Sequence, residues 1–242
     1  MQNNRTLWLL VVKNLIFAVI LTSTLMLAMW NFNIKINFDK ILIFSMLATI
    51  FGVAYLLTIR NPQNYFGFYL GIVSSVCLGI QFTFLGGYDL TFLYFAVFIP
   101  FQYMAILNWK KKSLQSVDDK PFNPKFLQFK KQLFFFLIFL IIIFLDYIFA
   151  TKVLKNQLFI EDILIKISFA TMISSSILAN YLMIGKWIDT WIYWLLYSVS
   201  AIFSAIIIRN NFNLLLFVFF LIINAITFIS WVKISNFKNL KI

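Results

Sequence analysis

The residue types in this chain that could do chemistry are indoles, amides and hydroxyls. Trp187, Trp191, Trp194 and Ser198 are spaced by four, three and four residues, which sets them on one face of a helix. They belong to the densest polar and aromatic stretch of the chain, which runs from Asn180-Tyr181-Leu182-Met183 through Lys186 to Trp194. Trp187 suits an aromatic belt at a membrane–water interface. Trp194 and Ser198 sit one and two turns deeper than Trp191 and fit either interior packing or a stacking surface for a flat ligand. Gln102 and Asn224 each bring a donor and an acceptor into an apolar run, where they can bond a ligand or a neighbouring helix. Gln81 lies close to the end of its run and reads as solvated. Asp146 is the only acid well inside an apolar run, yet it stands less than two turns from the run's end. Solvation or pairing with Lys152 is the plain reading of it, and a role in proton coupling is the alternative.

Other chemistries are excluded by what is missing. The chain has no His and a single cysteine, Cys77, so zinc sites, disulfide frameworks and a His-based triad are ruled out. No phosphate-binding glycine loop with its Lys-Ser/Thr pair occurs, which argues against ATP hydrolysis. No charged or nucleophilic pair is spaced for catalysis. Neither a metal nor a cofactor is expected, and the chain does not read as an enzyme.

The elements that must position these groups follow from composition. Of 242 residues, 62% are hydrophobic and 12% charged, with 31 Phe, 10 Tyr and 7 Trp. Mean hydropathy is +0.92. A water-soluble domain is nearer half apolar and a quarter charged, so the solvent for this surface is lipid. The net charge of +12 does not indicate nucleic acid, because the basic residues lie between apolar runs rather than on one polar face.

Eight stretches meet or approach the roughly 20 apolar residues that a helix needs to cross a bilayer. They are Leu7–Trp30, Ile41–Ile59, Tyr65–Phe84, Leu90–Leu107, Leu133–Ala150, Ile163–Ile184, Trp187–Ile208 and Leu214–Val232. Barrel strands would be about half as long and would alternate, which these runs do not. The first run is too long for a signal core, and no small-residue cleavage pattern follows it, so it reads as a permanent helix.

With eight spans, 14 of the Lys and Arg residues fall on one side and 6 on the other. The positive-inside rule then puts both termini in the cytoplasm of a multi-pass plasma (inner) membrane protein. The segment 110–132 carries seven Lys with Pro121 and Pro124, and reads as a solvated cytoplasmic loop that sets orientation or touches anionic headgroups.

The chain also repeats itself across that loop. Gln102 lies seven residues before Trp109 and Lys110, and Asn224 lies seven before Trp231, with Lys233 beyond. Gly86-Gly87-Tyr88-Asp89-Leu90 stands opposite Asn210-Asn211-Phe212-Asn213-Leu214, and Asn64-Tyr65 opposite Thr190-Trp191. The expected organisation is an N-terminal helix in 1–40, a triple-helix repeat in 41–109 and the loop 110–132. A linker helix in 133–162, a second repeat in 163–232 and a cytoplasmic tail in 233–242 follow. An even number of helix ends separates the halves, so they run the same way through the membrane, as in transporters built from parallel repeats.

The run Asn180-Tyr181-Leu182-Met183, Lys186 and Trp191-x-x-Trp194, with the repeat and the 3+1+3 layout, resembles the PnuC family of bacterial vitamin transporters over about residues 45–235. Lys186, Trp191, Trp194 and Asn224 match that family's pattern. Asn180 stands in place of its Gln, Ser198 of its Asn, Phe228 of its Gly and Gln102 of the Asn usual in nicotinamide riboside carriers. Phe95 and Phe169 replace a Gln and an Asp.

The resemblance implies an all-α, SWEET-like fold of eight transmembrane helices, with two triple-helix bundles joined by a linker helix and one extra N-terminal helix. It implies a substrate held near the midplane between the bundles by Trp191, Trp194, Ser198, Asn180, Gln102 and Asn224. The implied activity is facilitated diffusion of a small aromatic vitamin or nucleoside, nicotinamide riboside first, with thiamine or a deoxynucleoside as alternatives. A cytoplasmic kinase would trap the product, and a homo-oligomer is compatible with the pattern. A non-transporting membrane subunit is the competing class, and the amides and tryptophans clustered in both halves count against it.

Overall fold

A computed structural model describes residues 4–31, 40–84, 88–114, 124–153, 163–207 and 211–236. The expected turn at Gly86-Gly87, Arg209-Asn210 and the loop residues Lys120 and Pro121 lie outside the described residues. Among the described residues the chain is all-helical, with an isolated bridge between Lys125 and Trp187 as the extended pairing. Among the described residues, eight helices are long and apolar enough to cross a membrane, from Arg5–Leu27 to Leu214–Ser235.

The chain divides into two compact units, Met1–Asn123 and Pro124–Ile242. In the first, α1 (Asn4–Asn31) packs on α2 (Lys40–Ile59), which packs on α3 (Gly67–Phe84). Two amides fix α1 in place. Asn14 Nδ2 donates to Thr58 Oγ1 at 3.1 Å, and the fully buried Asn64 donates to the Leu7 carbonyl at 3.2 Å. Asn64 and Tyr65 sit in the turn between α2 and α3 rather than in the span, because Asn64 Oδ1 accepts the Phe66 N–H at 3.1 Å and so competes with helix bonding.

The fourth span is not a uniform helix. It comprises α4 (Tyr88–Leu93), a π-helical turn (Tyr94–Phe98) and α5 (Ile99–Leu114). Pro100 has no N–H to give, and its ring crowds the carbonyl four residues back. The wider turn, in which the Ile99 N–H reaches Tyr94 O, relieves that conflict. Gly79 makes room for it, since a Cβ there would stand 2.6 Å from the Phe95 ring. Helix α5 runs to Leu114, so Lys110 and Lys111 extend the helix instead of opening the loop.

In the second unit, α6 (Phe129–Val153) packs on α7 (Ile163–Ile184), α7 on α8 (Thr190–Ile207), and α8 on α9 (Asn211–Asn236). Helix α6 begins four residues before the expected Leu133. Trp187, expected at the start of a span, lies in the α7–α8 turn, where Lys186 adopts a left-handed φ of 56°. Most hydroxyls inside the spans donate to a carbonyl four residues back, as Thr22, Thr58, Ser174 and Thr227 do. That local pairing lets them lie in an apolar medium without a partner on another helix.

Candidate functional site

In the second unit, helices α8 and α9 bring Trp194, Ser198 and Asn224 together. Asn224 Nδ2 donates to Ser198 Oγ at 3.0 Å and to the Trp194 carbonyl at 3.3 Å. Ser198 Oγ donates to the same carbonyl at 2.9 Å, so it can accept from Asn224 but not give to it. This fixes the amide's orientation, because its nitrogen faces two acceptors and its oxygen points away. Asn224 and Ser198 are buried, while Trp194 is half-buried and meets Tyr197 edge-on at 5.5 Å.

Trp191 lies one turn from Trp194 and is fully buried, with its ring perpendicular to Trp231 at 5.2 Å. The ring belongs to the packing of this unit, and its indole N–H is what it leaves uncommitted. Asn180 is buried on α7, and its amide donates to the Ser176 carbonyl of its own helix at 2.9 Å. Among the described residues, no hydrogen bond joins it to the Trp194–Ser198–Asn224 group.

The first unit builds a parallel group around Gln102. Gln102 Nε2 donates to Ser75 Oγ at 3.2 Å, and the Phe68 ring stands perpendicular to Trp109 at 4.7 Å. Each unit thus holds an amide–serine pair, and seven residues further along each helix, about 10 Å away, an aromatic–tryptophan pair. The partners are Gln102–Ser75 with Trp109–Phe68, and Asn224–Ser198 with Trp231–Trp191. The register differs from the sequence expectation. Phe68, not Tyr65, occupies the place of Trp191, because Tyr65 belongs to the turn. Ser75 was therefore missed, although its spacing of seven from Phe68 repeats that of Ser198 from Trp191.

On helices α7, α8 and α9, Ser175 Oγ, Trp191 Nε1, Trp194 Nε1 and Asn224 Oδ1 are buried without a hydrogen-bond partner among the described residues. A buried polar atom without a partner costs about 1–3 kcal/mol, so each such atom calls for a water or a ligand as its partner. Beside Trp194 they supply one donor and one acceptor. No cluster of three or more His, Cys, Asp or Glu that could hold a metal occurs among the described residues.

A second feature missed from sequence is the contact that holds the start of α8. The buried Asp189 carboxylate accepts the Leu127 N–H and Gln132 Nε2, each at 2.8 Å. The Lys125 N–H donates to the Lys186 carbonyl at 3.3 Å and the Ile188 N–H to the Lys125 carbonyl at 3.0 Å. The Lys125 ammonium lies 4.7 Å from the Trp187 ring centre. Residues 124–132 are thereby fastened to the turn that feeds the Trp191–Trp194 helix. The signal in the sequence was an acid next to Thr190 at a helix start, a position that favours negative charge. Its partner 62 residues away was not legible.

Comparison with known proteins agrees with this architecture. The nicotinamide mononucleotide transporter family matches residues 42–233. Among curated proteins none matches. A crystal structure of the vitamin B3 transporter PnuC is similar with a TM-score of 0.63 and 16% identity, covering 92% of this chain and 90% of that one. At that identity the likeness concerns the fold. The family match spans most of the chain, from the second candidate span to the end of the eighth, so the chain belongs to the nicotinamide mononucleotide transporter family and is a multi-pass membrane protein.

Proposed function

We propose that this protein mediates facilitated diffusion of a small aromatic vitamin or nucleoside, with nicotinamide riboside the first choice. The observation that carries the reading is the Trp194–Ser198–Asn224 group, with its uncommitted indole N–H and amide oxygen. A donor and an acceptor beside an aromatic face suit a ring that bears a carboxamide or ribosyl hydroxyls. A pyridinium would add cation–π attraction of about 0.5–2 kcal/mol. The group carries no ammonium or guanidinium, so the phosphate of a mononucleotide would be left without a countercharge there. That favours the riboside over the nucleotide. Thiamine and deoxynucleosides remain the alternatives within the same chemistry.

The orientation that accompanies this reading has both termini in the cytoplasm of the plasma membrane, supported by the bias of Lys and Arg. A cytoplasmic kinase acting on the entering compound would keep net flux inward. Calorimetric titration of the purified protein against nicotinamide riboside, thiamine, riboflavin and deoxynucleosides tests the substrate class. Saturable binding of the riboside ahead of the others is expected. Heat from none of them would overturn the reading.

A further inference from the structure

In the spans of the first unit, described Ser and Thr hydroxyls find carbonyl partners on their own helix or on the next one. Thr49 donates to Ser45 O at 2.8 Å, Thr58 to Ala54 O at 2.6 Å and Ser74 to Ala48 O at 2.8 Å. The hydroxyl of Tyr55, on α2, is an exception. Tyr55 is 5% exposed, and its oxygen has no hydrogen-bond partner among the described residues. Gln81 Oε1 shares that condition, but Gln81 lies near the end of α3 and is only partly buried.

Three observations join Tyr55 to the Gln102 group. A Cβ on Gly71 would stand 3.2 Å from Tyr55 Cδ2 and 3.2 Å from Gln102 Cδ and Nε2, so both side chains pack against the glycine. The glycine lies four residues before Ser75, as Trp194 lies four before Ser198. In the first unit Tyr55 and Gln102 thus pack over the position at which the second unit carries an indole. Counted back from the helix ends at Ile59 and Ile184, Tyr55 also holds on α2 the place of Asn180 on α7. Asn180 spends its amide on its own helix, whereas the Tyr55 hydroxyl is uncommitted.

We propose that Tyr55 is a specificity-determining residue of the first unit, whose hydroxyl bonds a neutral hydroxyl or carboxamide substituent of the transported compound beside Gln102. The inference rests on the transport reading above and concerns the groups of the first unit by themselves. A phenol can donate or accept, so it selects for a polar substituent without demanding charge. Gly71 lets both side chains pack against α3, because a Cβ there would press on Tyr55 and Gln102.

Tyr55→Phe separates binding from folding. The hydroxyl has no partner to lose, so the ligand-free variant should melt at the same temperature as the parent or slightly higher. Its Kd for nicotinamide riboside, or for whichever panel compound the parent binds best, should rise about 3- to 10-fold, the size of one neutral hydrogen bond. Gly71→Ala, which removes no polar group, should also raise Kd. An unchanged Kd in Tyr55→Phe alongside weakened binding in Trp194→Ala would overturn this inference and leave the transport reading standing. A lowered melting temperature with unchanged Kd would assign the hydroxyl to a buried water and overturn it too. Absence of binding by the parent protein to every panel compound would overturn both.

Discussion

Trp194→Ala is expected to weaken ligand binding by about 1–3 kcal/mol, a rise in Kd of roughly 5- to 160-fold, the range found for a ring lost from a stacking surface. Trp194 is half-buried, its indole N–H is uncommitted, and its own carbonyl receives the Ser198 and Asn224 hydrogen bonds. Those backbone bonds survive the substitution, so the loss reports on the ring. Trp194 also packs against the cluster of Leu178, Ala179, Leu182 and Tyr193, and some stability will go with it. Trp194→Phe controls for that by keeping a ring and removing the N–H, and should give a smaller loss. Trp187→Ala should change binding far less, because that ring lies under Lys125 in the turn. Equal Kd values for Trp194→Ala and Trp187→Ala, measured by calorimetry, would show that no ring stacks on Trp194.

Asp189→Ala should produce the largest loss of stability. Its carboxylate accepts two hydrogen bonds at 2.8 Å, one from the N–H of buried Leu127. A hydrogen bond to a charged group contributes about 1.5–3 kcal/mol, and its loss here leaves a buried donor without a partner. A destabilisation of about 2–4 kcal/mol corresponds to a fall of roughly 4–16 °C in the melting temperature of a chain this size. Asp189→Asn keeps one acceptor oxygen and should fall by less. The start of α6 and the start of α8 are held by the same carboxylate, so the alanine variant should also expose residues 124–132 to proteolysis. A melting curve unchanged from the parent would mean that the Lys125–Trp187 and backbone contacts hold the turn without Asp189.

Much of this structure was legible because a membrane span has a simple signature. Backbone groups in lipid must bond within the segment, so length and hydropathy alone locate a helix. Ile163–Ile184 and Ile41–Ile59 were read within a residue of their observed ends. The recurrence of Gln102–Trp109 and Asn224–Trp231 was also visible, because a spacing of seven survives in one dimension.

What escaped depends on which helix faces meet. The Ser75–Gln102 pair needed α3 placed against α5, and Phe68 replaced Tyr65 as the partner of Trp109 once the turn residues were counted out of the span. The π-helical turn depended on how Pro100 and the Gly79 notch were reconciled, although the proline itself was in plain view. Asp189 drew no role from the sequence, since nothing there ties it to Leu127 and Gln132. Of the six candidate site residues, Trp194, Ser198 and Asn224 make one bonded group. Gln102 has its own partner in the first unit, and Trp191 and Asn180 are occupied largely within their own packing and helix.

Energy coupling is where the account is most exposed. Gln102, Ser198, Asn224 and the tryptophans do not titrate near neutral pH, and a gradient-driven carrier needs a group beside its substrate whose charge state alters binding. Asp146 sits on α6, two residues from the end of that span, and belongs to neither amide–serine pair. The decisive measurement is uptake of labelled nicotinamide riboside into liposomes containing the purified protein, with and without an imposed proton or sodium gradient. The account predicts uptake that stops at equal concentrations inside and out, ignores both gradients, and resumes only when a phosphorylating enzyme is enclosed. Accumulation above the outside concentration under either gradient would contradict it and would make Asp146 the first residue to substitute.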